Sequence, residues 1–232
     1  MTVDEFVDEL SSISLPDVFN PYRDVCKFAD HPASPLLRRQ NLRFFLDAIV
    51  KHEVRSIWLG RDLGYRGGRR TGIPLTDELH LAEVRNVFGA VGIVKTTADD
   101  DPIKERTATE IWKILALIGE PVFLWTAFPF HPFDHGEPFS NRRHTAQEFE
   151  SCRHILTKLV EWLQPTMIIA LGADAEAAVS SVGYECHRVR HPSYGGQSDF
   201  AREISRIYSL PVPLTKQSQL GAPQRSTAKS AL

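Results

Sequence analysis

Residues 59 to 72, "LGRDLGYRGGRRTG", set one carboxylate, Asp62, among glycines and four arginines, Arg61, Arg66, Arg69 and Arg70. Glycines let a backbone approach a ligand closely, and arginines favour an anionic one. A single acid in such a loop can stabilise a positive charge that develops during a reaction; the plainer roles are a turn cap or an ion pair with Arg61. Two other stretches are basic: Arg142, Arg143 and His144, and "HRVRH" at 187 to 191. His191, just before Pro192, either donates a hydrogen bond to a ligand or is a loop-exit residue held by backbone. Taken singly, each stretch is a solvated loop; taken together, they make a positive cleft if the fold brings them to one place.

Four short apolar runs must do that positioning: "RSIWLG" (55 to 60), "VFLWTAF" (122 to 128), "TMIIALG" (166 to 172) and "ECHRVR" (185 to 190). Each is bounded by Gly, Pro or loop residues, as for strands covered on both faces. Helical patterns separate them. "TATEIWKILALIG" has Thr107 and Glu110 at capping-box spacing and stops at Gly119, and "TAQEFESCRHILTKLVEWL" has Thr145 and Glu148 in the same relation, with Cys152 on its apolar face. "LRRQNLRFFLDAIVKH", "ADAEAAVSSVG" and "DFAREISRIYSL" complete the set. Alternation of this kind predicts an α/β fold, a three-layer α/β/α sandwich around a central four-stranded, mostly parallel sheet. Ligands of such sheets lie beyond the carboxyl ends of the strands, where the three basic loops begin.

The 232 residues give one sizeable domain, expected over 36–210, with an N-terminal arm (1–35) packed on it and a flexible polar tail (211–232). The net charge of −2 argues against a generic nucleic-acid coat. No apolar run approaches a membrane span and the first residues are acidic, so the expectation is a cytoplasmic monomer with no membrane partner. The three cysteines, Cys26, Cys152 and Cys186, form no C-x-x-C pair, which predicts no metal and no cofactor.

"GRDLG" (60 to 64) after the first strand and "HPSYGG" (191 to 196) after the fourth resemble, in order and separation, the two signature motifs of the uracil-DNA glycosylase superfamily. Asp62 falls where the most active branch has its catalytic aspartate, and Gly64 where other branches carry the glycine of G-x-x-P-G. "HPSY" is similar both to the H-P-S of the first group and to the H-P-x-Y of the iron–sulfur group, whose cysteines this chain lacks. "PFHPFDHGEPFSNRR" resembles an elaborated proline-rich loop of the family. The resemblance covers roughly residues 38 to 210.

It implies a monofunctional glycosylase that hydrolyses the N-glycosidic bond of a flipped-out uracil in single- or double-stranded DNA, with Asp62 and His191 catalytic. Asp62 would orient water and stabilise the oxocarbenium-like sugar, and His191 would donate to the base oxygen on which charge develops. Gly60, Arg61, Gly64 and Tyr65 would line the nucleotide site. Arg66, Arg69, Arg70, Arg142, Arg143 and Arg190 would meet phosphates, as would Ser193, with Pro192, Tyr194 and Gly195 at the DNA groove. Where the family's second strand ends in an asparagine that reads the uracil edge, Thr126 stands here. Asn141 and His131 are expected to complete that contact, although Asn141 equally suits a helix-capping role. Thr126 leaves open another deaminated base such as hypoxanthine, and from a different class a non-catalytic nucleic-acid-binding module with the same fold.

Overall fold

The computed structural model describes residues 1–193 and 195–210. In chain order these form α1 (Val3–Ser12), β1 (Val18–Phe19), α2 (Ser34–Lys51), β2 (Ser56–Gly60), α3 (Gly68–Thr71), a 3₁₀ turn (Glu78–His80), α4 (Leu81–Phe88), α5 (Arg106–Ile118), β3 (Phe123–Thr126), β4 (His131–Pro132), α6 (Ala146–Leu163), β5 (Met167–Leu171), α7 (Ala173–Ser181), β6 (His187–Val189) and α8 (Gln197–Ile207). The four expected strands are β2, β3, β5 and β6, in the order β3-β2-β5-β6 and parallel at each pairing. The chain goes from β2 to one side for β3 and then to the other for β5, which makes the β2/β5 boundary a topological switch point.

Side-chain alternation assigns the two faces. Leu59 pairs in register with Trp125, and Trp125 meets Phe6 of α1 with ring centroids 5.7 Å apart, while Phe123 meets Phe45 of α2. Trp58 points the other way, edge-on to Phe200 of α8 at 5.8 Å. Helices therefore cover both faces, giving the three-layer α/β/α sandwich. Each fully buried large apolar side chain contributes about 1.5–3 kcal/mol, so these aromatic contacts are enough to seat α1, α2 and α8.

The N-terminal segment is joined to the rest through α1 and through β1, which pairs antiparallel with β4 in the loop after β3. Residues 211–232, expected to be a flexible tail, lie outside the described residues. Among the described residues no helix is long and apolar enough to cross a membrane.

One expected capping box forms and the other does not. Thr145 accepts from the Glu148 amide and Glu148 bonds back to the Thr145 amide at the start of α6. Helix α5 begins two residues earlier than a cap at Thr107 implies, with Glu105 at its N-cap and no side-chain cap, and the Thr107 hydroxyl is instead bonded to Ser193 Oγ at 2.9 Å.

Candidate functional site

The carboxyl ends of β2, β5 and β6 open into a cleft of about 770 Å³ lined by, among others, Gly60 to Gly64, Leu171 to Asp174 and Arg188 to His191. Its floor is stiff. After β2 the backbone continues to pair with the chain beyond β3: Ala127 donates to the Gly60 carbonyl at 2.9 Å, Phe128 to Arg61 at 2.9 Å, and Leu63 to Phe130 at 3.1 Å. A loop bonded on both sides of Asp62, at Gly60, Arg61 and Leu63, holds that residue in place.

The Asp62 side chain is only 5% exposed, and both oxygens are engaged. Oδ2 accepts from Arg61 Nε, and Oδ1 meets His144 Nδ1. His144 is itself clamped by Phe128, with centroids 5.1 Å apart, and stacked on Phe149 at 5.4 Å. Arg61 reaches on to Asp174 Oδ2 at 3.1 Å, and Arg143 bonds Asp174 Oδ1. A carboxylate fixed by two donors is pre-oriented and can stabilise a cationic centre without reorganising.

His191 enters from the loop after β6. Its Nδ1 accepts from the Ser193 amide at 3.2 Å, which in a neutral ring leaves the hydrogen on Nε2 as donor. Burial, aided by Arg61 and Arg190, pulls its pKa down to about 4, so the ring is neutral near pH 7. Ser193 shares the cleft wall, Pro192 is buried, and Gly195 is exposed with φ +82°. Tyr194 lies outside the described residues.

A second carboxyl, not expected from the sequence, lines the same cleft. Glu105 lies against the turn from Gly64 to Gly67, and a Cβ on either glycine would collide with its carboxyl. A side chain at either position would have to displace the Glu105 carboxyl. Burial, with Asp77 nearby and Arg66 opposing, raises Glu105 to about 7. Its local pattern gives no functional signal, since the residue reads as the run-up to a helix. His144 did carry one, as part of the basic loop after the second strand.

Several expected site residues lie elsewhere. Arg69 and Arg70, expected to meet phosphates, are buried and paired internally: Arg69 bonds His131 Nδ1 at 2.9 Å and the Pro138 carbonyl, and Arg70 pairs with Glu78 at 3.2 Å and with Asp99. Short helix α3 turns both inward, and acids distant in sequence neutralise Arg70. His131 is fully buried, with Nε2 on the Ser140 carbonyl at 2.8 Å, and its pKa is lowered to about 3 chiefly by burial. It lines no part of the cleft. Thr126 is also out of the cleft, paired in register with Gly60 on the neighbouring strand, where its methyl group would lie 3.3 Å from a Cβ on that glycine. Its hydroxyl is buried without a hydrogen-bond partner among the described residues.

Asn141 lines the cleft, and its Oδ1 accepts from the Tyr65 amide at 3.2 Å. Tyr65 is directed away, toward Phe139 at 5.9 Å. Arg142 reaches the cleft but is committed to Glu148 at 2.6 Å and to the carbonyls of Phe133, Arg143 and Asp17. Arg66, Arg143 and Arg190 are exposed. Among the described residues, no group of three His, Cys, Asp or Glu side chains could hold a metal ion.

A family model described as the uracil DNA glycosylase superfamily matches residues 48–215. No curated protein matches the chain. Among solved structures, wild-type SMUG2 of Pedobacter heparinus is similar with a TM-score of 0.59 at 16% identity, over 89% of this chain and 95% of that one. At that identity the likeness is one of fold.

Proposed function

The chain belongs to the uracil-DNA glycosylase superfamily, and from that premise we propose that this DNA glycosylase removes uracil, as a monomer in the cytoplasm, from single- or double-stranded DNA. The observation that carries the reading is the convergence of Asp62 and His191 on one cleft at the ends of β2 and β6.

Breaking the N-glycosidic bond leaves an oxocarbenium-like sugar and an anionic base. Asp62, fixed by Arg61 and His144, faces the sugar and orients the attacking water. His191 donates from Nε2 to the base oxygen; because the ring is neutral, it stabilises the anion by a hydrogen bond and keeps its proton. Asn141 and Glu105 read the base edge in the absence of an asparagine at position 126. Glu105 acts as a neutral acid: Asp62 already supplies the negative charge the sugar needs, and a second one would oppose departure of an anionic base. Arg66, Arg143 and Arg190 are the phosphate contacts.

Gel assays of oligonucleotides carrying one uracil, one hypoxanthine or only normal bases test this directly. The expected result is an alkali-labile site at uracil alone, lost in Asp62→Asn. Cleavage only at hypoxanthine would replace the substrate and keep the chemistry. Binding without cleavage of either would make the chain a nucleic-acid-binding module.

A further inference from the structure

Apolar rings are normally covered, yet Phe28 is 59% and Phe139 40% exposed. They are neighbours, with centroids 5.6 Å apart, and Phe139 continues to Tyr65 at 5.9 Å. Cations border this row at both ends: Lys27 Nζ lies 4.8 Å from the Phe28 ring centroid and the Arg66 guanidinium 5.3 Å from that of Tyr65. Among the described residues neither cation has a carboxylate within 4 Å. Asp24 and Asp30, the acids flanking Phe28 in sequence, are turned onto their own chain, bonding the Asn20 amide and both the Cys26 amide and Arg38.

The row is continuous with the cleft. Tyr65 follows Gly64 in sequence, and its amide is bonded to Asn141, two residues beyond Phe139; Gly64 and Asn141 both line the cleft. Buried Arg69 braces the row from beneath, its guanidinium 5.3 Å from the Phe139 centroid and 4.0 Å from that of Phe19.

We infer that Phe28, Phe139 and Tyr65 form a stacking platform for unpaired nucleotides flanking the target base, with Lys27 and Arg66 on the phosphates. The inference rests on the reading of the cleft as a nucleotide site. Aromatic side chains bordered by cations favour single-stranded nucleic acid, because every base presents a π-face while a duplex keeps its faces stacked inside. A duplex meets this surface only with its backbone, so the rings discriminate for the unpaired strand. The chemistry also excludes an acidic peptide as the favoured occupant, since that partner would leave the two exposed phenyl rings uncovered.

The test is fluorescence anisotropy of the full chain with a labelled single-stranded oligonucleotide lacking uracil and with the duplex of the same sequence. Phe28→Ala with Phe139→Ala should weaken single-strand binding about tenfold or more and leave duplex binding within about twofold. Phe28→Trp, which enlarges the ring, should bind at least as tightly as the parent. Unchanged single-strand binding overturns the inference, and so does an equal loss on both substrates. If the double variant unfolds, Phe28→Ala alone, at the more exposed ring, is read by the same criteria. Absence of uracil excision with the expected anisotropy pattern would remove the proposed reaction and leave the platform standing.

Discussion

Asp62 and His144 are joined Oδ1 to Nδ1, although 144 belongs to the loop after β3 and 62 to the loop after β2. The histidine ring is held on both sides by Phe128 and Phe149, so the pair is a fixed strut. His144 touches no bond-breaking atom in the proposed reaction and is a positioning residue. His144→Ala should lower kcat about 10- to 100-fold with KM nearly constant, and His144→Asn, which keeps a donor, should recover part of it. A loss confined to thermal stability in both variants would make the strut purely structural.

Removing the charge of Asp62 is a separate test. Asp62→Asn should bind uracil-containing DNA within a few-fold of the parent and excise at least about 10²-fold more slowly, because the carboxylate acts chiefly on the cationic sugar of the transition state. Single-turnover excision at wild-type rate would remove Asp62 from the mechanism.

Glu105 and His191 make opposite contributions to pH dependence. Between the ordinary carboxyl range and about pH 7 the folded chain keeps a proton on Glu105 that the unfolded chain has released, so this group lowers stability as pH rises through that window. His191, held near 4, makes the folded chain bind fewer protons than the unfolded one between about 4 and its ordinary value, and raises stability as pH rises there. The groups facing Glu105 are Asp77, bonded in turn to His80, and Arg66. Glu105→Gln should therefore gain Tm over the parent as pH goes from 5 to 8, and excision should lose the fall expected above about pH 7. Parallel pH profiles for the two proteins would count against a neutral Glu105 in the cleft.

Thr126→Val removes a buried hydroxyl that has no partner, at nearly constant volume. Such a group loses its hydration without recompense, so the change should be neutral or stabilise by about 1 kcal/mol, with kcat/KM on uracil unchanged. A fall in kcat/KM of tenfold or more would mean that the hydroxyl reaches the base.

With Arg69 and Arg70 buried, few arginines remain for phosphates. The slope of log affinity against log salt on duplex DNA should be shallow, about −3, or about −0.9 for each of Arg66, Arg143 and Arg190. Arg143→Ala should reduce its magnitude by about one contact. A slope twice as steep would point to cations beyond these three.

The sheet was legible in the sequence because its strands are buried on both faces and read as plain apolar runs, and their ends then pointed to the loops around Asp62 and His191. Burial of charge was not. Arg70 sits in a glycine-rich loop that looks solvated, and only the fold brings Glu78 and Asp99 to it. The two Thr-x-x-Glu patterns show the same limit. At Thr145 the pattern is a cap, while the hydroxyl of Thr107 is taken by Ser193 from the other end of the domain. Local spacing decides a residue's partner only where no distant one competes. Glu105 lay beyond that limit, since the space its carboxyl occupies exists because two residues forty positions earlier have no side chain.

Strand β6 is an edge strand of three residues, two of them exposed, and it is the last of the sheet's strands in chain order. Everything that holds Asp62 precedes it in the chain. During synthesis the floor of the cleft can therefore be complete while the ribosome has yet to release the segment that carries His191. On the proposed mechanism a nascent chain would have an anchored acid and no opposing donor, and would stay chemically silent until β6 and the loop after it dock; local fraying of that short edge would silence the finished molecule in the same way without unfolding the rest.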